Sequence, residues 1–98
     1  MSDMTVQEFV EKLVKEKAFR KEVVNHCYDV EPPEGDKHGM GKWLSVGAER
    51  MGYDFDPVEL HEKMRAEVKK LGVFKQIAFA GSLVNTANKA KKAAAAGK

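Results

Sequence analysis

His26, Cys27, His38 and His61 are the side chains in this sequence with the softest ligand and nucleophile chemistry. A structural zinc site sets its cysteines and histidines in pairs a few residues apart, so that one short segment supplies two corners of a tetrahedron. No such pair occurs here. His26 and Cys27 are adjacent, and on a helix adjacent side chains point about 100° apart. Cys27 as a nucleophile would need a thiolate held by an imidazolium or a helix N-terminus. It falls instead near the end of an expected helix, where the dipole disfavours an anion. A packed, inert thiol and three unrelated histidines are expected.

The carboxylates give no reaction centre either. Glu31, Glu34 and Asp36 lie in a polar loop that lacks the alternating Asp/Asn pattern and glycine of a calcium loop. Asp54 and Asp56 are accounted for by helix capping. Gly35, Gly39 and Gly41 follow no strand, so they do not make a phosphate-binding turn. The expectation is a protein that is not an enzyme, with no cofactor and no metal. Lys89, Lys91, Lys92 and Lys98 form a basic tail without aromatic neighbours. Such a tail can touch phosphates without reading sequence, so nucleic-acid or membrane-surface contact is an alternative role.

The elements that must position these groups are helical. Thr5-Val6-Gln7-Glu8 has the form of a capping box, and Val6, Phe9, Val10, Leu13 and Val14 recur on one helical face. This predicts a helix over 6–16. Phe19, Val23, Val24, Cys27 and Tyr28 predict a second over about 18–28, and the pattern leaves open whether it continues the first. Residues 29–41 read as a long loop, with Pro32, Pro33 and three glycines. Trp43, Leu44, Gly47, Ala48 and Met51 form a third stripe stopped by Gly52, with Gly47 and Ala48 small enough to admit a neighbouring helix. Asp56, Pro57 and Glu59 give the strongest start signal, with Asp56 as cap, Glu59 completing a capping box, and Phe55 and Leu60 placed to form a hydrophobic staple. Leu60, Met64, Val68 and Leu71 carry the fourth buried face, ended by Gly72. Val73–Ala80 reads as a short fifth helix. Residues 85–98, rich in Ala and Lys, are expected to be frayed or disordered, because no apolar side chain larger than Ala anchors them. The expected fold is all-α: one domain over 1–84, a small bundle of four to five short helices, and a flexible basic tail.

Bulk properties agree. The chain has 98 residues, 43% hydrophobic and 33% charged, with net charge +2. That suits one soluble domain and is too balanced for a general polyanion binder. The charges are segregated: residues 1–62 carry 8 basic and 14 acidic side chains, net −6, and residues 63–98 carry 9 and 1, net +8. One cysteine excludes an internal disulfide. No signal peptide or membrane-length apolar run is visible, so the cytoplasm is the expected compartment. Trp43, Phe55, Phe74 and Phe79 are mostly expected in the core, and any of them left exposed would mark a docking surface.

Gly52-Tyr53-Asp54-Phe55-Asp56-Pro57-Val58-Glu59-Leu60 resembles the Gly-aromatic-x-Phe-x-x-x-Glu-Leu signature of the nif-eleven-like family. That family is named from nitrogen-fixation gene neighbourhoods, and its members also serve as leader regions of ribosomal natural-product precursors. Thr5–Leu13 resembles the family's opening helix and Ala18-Phe19-Arg20 the start of its second. The likeness covers about residues 4–71. It implies a non-catalytic helical recognition module that docks to a partner protein such as a peptide-modifying enzyme. Phe9, Leu13, Phe55, Glu59 and Leu60 are the contact residues it implies. Leaders of this family end at Gly-Gly or Gly-Ala before a Cys- or Ser/Thr-rich core. The nearest analogue here is Ala80-Gly81, so cleavage after Gly81 is the second role it implies. Residues 29–41 look inserted relative to the family pattern.

Overall fold

A computed structural model describes residues 4–96. Its helices are α1 (Val6–Lys15), α2 (Lys17–Asn25), α3 (Gly39–Arg50), α4 (Pro57–Lys69) and α5 (Val73–Ala96), and no strand is present among the described residues. The all-α bundle expected from the apolar periodicities is what forms.

The local signals act as their chemistry dictates. The Thr5 hydroxyl accepts from the Glu8 N–H at 3.1 Å, and the Thr5 N–H donates to the Glu8 carboxylate at 3.0 Å. α1 and α2 are separate helices joined at one extended residue, Glu16. Arg20 seals that corner by donating to the Leu13 and Val14 carbonyls, both at 2.9 Å. These carbonyls have no partner within α1, and a charged donor is the strongest substitute. α3 ends in paired bonds, Gly52 N–H to Glu49 O and Tyr53 N–H to Ala48 O, with Gly52 at φ 97. Only glycine adopts that backbone without strain.

Asp56 caps α4 by accepting from the Glu59 N–H at 2.9 Å. That is the side-chain cap bond α4 has, so the cap is one-sided rather than the reciprocal box expected.

Three helix boundaries depart from expectation. α2 stops at Asn25, so Cys27 and Tyr28 lie in the turn after it. α3 starts at Gly39, inside the segment read as loop. α5 does not end near Ala80 but runs on to Ala96. Residues 85–96, expected to fray, form its last turns, with Ala87 buried and Lys91 paired with Glu31 at 3.0 Å.

The core joins all five helices: Phe9, Val10 and Leu13 from α1; Val23, Val24 and Cys27 from and just after α2; Trp43, Leu44 and Ala48 from α3; Leu60 and Met64 from α4; Phe79, Leu83 and Ala87 from α5. α4 packs mainly against α1 and α3, and α5 lies across α2 with only a light contact to α4. Glycine sets how closely α3 approaches. A Cβ on Gly41 would fall 2.6 Å from the Pro57 carbonyl oxygen of α4, and one on Gly47 would fall 2.7 Å from the Val23 carbonyl oxygen of α2. The small Gly47-Ala48 step admits a neighbouring helix, as expected, and that helix is α2. The buried Trp43 indole N–H is shared between the carbonyls of Cys27 (2.8 Å) and Val30 (2.7 Å). It pins the start of the 29–38 loop to the bundle.

Candidate functional site

The residues with reactive chemistry are occupied structurally. Cys27 is fully buried, its thiol turned to the Val23 carbonyl at 3.5 Å. Burial pushes the thiol up to about 12, far from a thiolate at neutral pH. His26 faces the Glu22 carbonyl at 2.8 Å. His38 and His61 meet edge to face, with ring centroids 5.3 Å apart. The Gly41 N–H donates to His61 Nδ1 at 3.1 Å, so that nitrogen carries no proton. Burial, followed by the nearby charges of His38 and Arg65, holds His61 below its ordinary value. Among the described residues no group of three or more His, Cys, Asp and Glu side chains gathers as a metal site. Of the loop carboxylates, Asp36 pairs with Lys42 and accepts from the His38 N–H at 2.8 Å, Glu31 pairs with Lys91, and Glu34 is exposed.

The contact residues implied by the family resemblance are divided by burial. Phe9, Leu13 and Leu60 are fully buried and have no surface to offer a partner. Phe9 packs edge-on against Phe19, Tyr53 and Phe55 at 5.1–5.8 Å. Phe55 is half-buried and stacked on Tyr53. Glu59 is exposed. Of the basic tail, Lys89, Lys91 and Lys92 are exposed on α5, and Lys98 lies outside the described residues.

The largest exposed apolar feature is elsewhere. α5 carries two apolar stripes. Phe79, Leu83 and Ala87, four residues apart, face the core. Val73, Ile77, Gly81 and Val84 recur at helical spacing on a different face, with Phe74 beside them. Phe74 is 88% exposed, Val73 69%, Ile77 66% and Val84 56%. Full burial of such side chains stabilises by roughly 1.5–3 kcal/mol each, so the isolated chain forgoes several kcal/mol here. A contiguous exposed apolar face is the usual mark of an interaction surface. Outside α5 the one exposed large hydrophobic among the described residues is Val58, at 37%.

The stripe has an apolar continuation. A groove of about 330 Å³ runs between α4 and α5, with Met40, Met64, Val68 and Ala80 in its lining and Arg65 and Lys69 on its α4 side. Ala80 sits seven residues after Val73 and four before Val84, so groove and stripe share one edge. Of the four aromatics singled out in the sequence, Phe74 is the exposed one, while Trp43 and Phe79 are core. A fifth helix ending at Ala80 leaves out Gly81 and Val84, the rest of the face. Continued through Val84, the same spacing shows two stripes. The chain matches no family model, no curated protein and no solved structure, and the α5 face stands as its candidate site on its own geometry.

Proposed function

We propose that this chain is a non-catalytic helical recognition module that docks to a partner protein through the exposed face of α5. The single observation that supports this most is Phe74, an aromatic left almost wholly in water beside Val73, Ile77 and Val84. The fully buried Cys27 thiol and His61 Nδ1, taken up by the Gly41 N–H, support it from the other side. The nif-eleven-like resemblance of residues 4–71 points to the same kind of role, with a peptide-modifying enzyme as partner and the cytoplasm as compartment. The precursor role implied by Ala80-Gly81 is less favoured, because the Gly81–Ser82 bond to be cut lies inside α5 and a peptidase would have to unwind the helix first.

The test compares the wild-type chain with Phe74→Asp/Ile77→Asp for capture of proteins from its native cell extract. Both sites are exposed, so the variant should melt with the wild type. Capture by the wild type that the variant loses supports the reading. Identical capture by both, or none by either, overturns it. Intact mass from native cells reads out the precursor role: a product ending at Gly81 would favour processing.

A further inference from the structure

Four glycines lie within helices, and three of them have a visible purpose. A Cβ would fall 2.8 Å from the Pro33 carbonyl oxygen at Gly39, 2.6 Å from that of Pro57 at Gly41, and 2.7 Å from that of Val23 at Gly47. Each glycine makes room for the backbone of another segment. The fourth, Gly81, has nothing within 4 Å. It lies in the middle of α5, where glycine weakens a helix and has no turn or positive φ to serve. It is also the centre of the exposed stripe, four residues from Ile77 and three from Val84. A lipid surface gains nothing from a missing Cβ at that point. A crossing helix does, by backbone approach of the kind α3 already makes at Gly47.

Charge selects the kind of helix. Glu67 is the last carboxylate in the chain, and seven lysines follow it. The groove beside the stripe has Arg65 and Lys69 in its lining and no Asp or Glu. Lys91 and Lys92 stand beyond Val84, in line with the two edges of the stripe. Val30, Val84 and Lys91 line a further small hollow, where Lys91 is already paired with Glu31, while Lys92 has no such partner among the described residues. A second copy is a poor occupant. Face-to-face pairing of two α5 helices sets lysines against lysines in either direction, with no acid on α5 to meet them. Among the described residues, the acidic body of another copy offers only Val58 as an exposed large hydrophobic.

Resting on the recognition reading above, we infer that the α5 face receives an acidic amphipathic helix of a partner protein. The helix crosses α5 at Gly81, sets its apolar side chains on Ile77, Val84 and Phe74, and points carboxylates at Arg65, Lys69 and Lys92. This is helix-on-helix recognition with a charged rim that sets orientation and on-rate.

The probes are two labelled synthetic amphipathic helices with identical Leu/Ile faces, one otherwise rich in Glu and the other in Lys, titrated against the full chain by fluorescence anisotropy. The Glu peptide should bind at least about tenfold more tightly than the Lys peptide and lose affinity as salt rises. Gly81→Leu and Ile77→Asp should each weaken it about tenfold or more, without lowering the melting temperature. Equal binding of the two peptides, or a Gly81→Leu chain that binds like the wild type, overturns the inference. So does tighter binding to vesicles containing phosphatidylglycerol than to the Glu peptide, which assigns the face to lipid. A dimer in sedimentation that Ile77→Asp dissolves assigns it to a second copy and overturns it equally. Extract capture that depends on Phe74, together with a Glu peptide that fails to bind, sinks this inference and leaves the recognition reading standing. Failure of both sinks both.

Discussion

His61 does its work for another helix. The N-cap of α3 is His38, whose side chain makes no capping bond. The orphan N–H of Gly41 in the first turn is instead taken by His61 Nδ1, reaching from α4. That bond needs an unprotonated Nδ1. Burial comes first in lowering the His61 value, with His38 and Arg65 adding to it, while Asp36 and Glu62 oppose it. The unfolded chain therefore binds this proton more readily than the folded one. Stability from His61 is complete above the ordinary histidine value of 6.5 and falls as pH drops from there through the lowered folded value. Thermal unfolding followed from about pH 8 to about pH 5 should show this decline, and His61→Gln, which keeps an acceptor but does not titrate, should flatten it. A wild-type melting temperature level across that range would contradict the cap.

Cys27 makes a second residue-scale prediction. With its thiol raised to about 12, it should react with a disulfide reagent only as the chain unfolds. Fast labelling of the folded protein would contradict its burial. The glycines make a third. Gly47→Ala should destabilise by about 1–3 kcal/mol, because its Cβ meets the Val23 carbonyl oxygen. Gly81→Ala should stabilise by up to about 1 kcal/mol, because its Cβ meets nothing. Chemical denaturation of the two variants measures both signs.

At the scale of elements, α5 carries the most information and was the least legible. Capping chemistry is local, so the starts of α1 at Thr5 and α4 at Asp56 could be read from the residues. So could the stop at Gly52 and the close approach at Gly47. The start of α3 could not. Gly39-Met40-Gly41 reads as loop until His61, twenty residues on, is seen to cap it and Pro57 to pack on it. The length of α5 was obscured for a related reason. Gly81 looks like a breaker in isolation, and the Ala- and Lys-rich run after Val84, though helix-forming, offers no large apolar anchor, yet Ala87 is buried and Lys91 reaches Glu31. Which α5 stripe faces inward is decided by where α2 lies, and no local pattern contains that. The candidate site fell partly into this gap: Phe74 was visible as an option, while Phe9, Leu13 and Leu60 proved to be core. Adjacent residues give a sharp check of the two faces. Leu83→Ala should cost about 2–5 kcal/mol, and Val84→Ala, one position on, less than about 0.5 kcal/mol. Equal costs would mean that α5 is rotated from the orientation described.

The whole molecule divides into an acidic, well-packed body and a basic, partly uncovered helix. α1 is tied to α4 by Gln7, whose side-chain amide donates to the buried Glu67 at 3.0 Å while Lys70 pairs with the same carboxylate at 2.9 Å. α5 is attached more sparely, mainly along α2, with Arg20 donating to Ser82 at 3.1 Å and lying over the Phe79 ring at 5.3 Å. No helix is long and apolar enough to cross a membrane among the described residues. The radius of gyration, 13.0 Å, matches the roughly 13 Å of a folded domain of about 100 residues. The exposed face is therefore a surface feature of a folded body, and it is the face we propose for docking. An isotope-edited amide NMR titration of the full chain with the Glu-rich helical peptide tests that most directly. The account predicts shifts concentrated on residues 73–84 and the flanking Arg65, Lys69, Lys91 and Lys92. Shifts centred on the Gly52–Leu60 junction, with 73–84 unmoved, would contradict it.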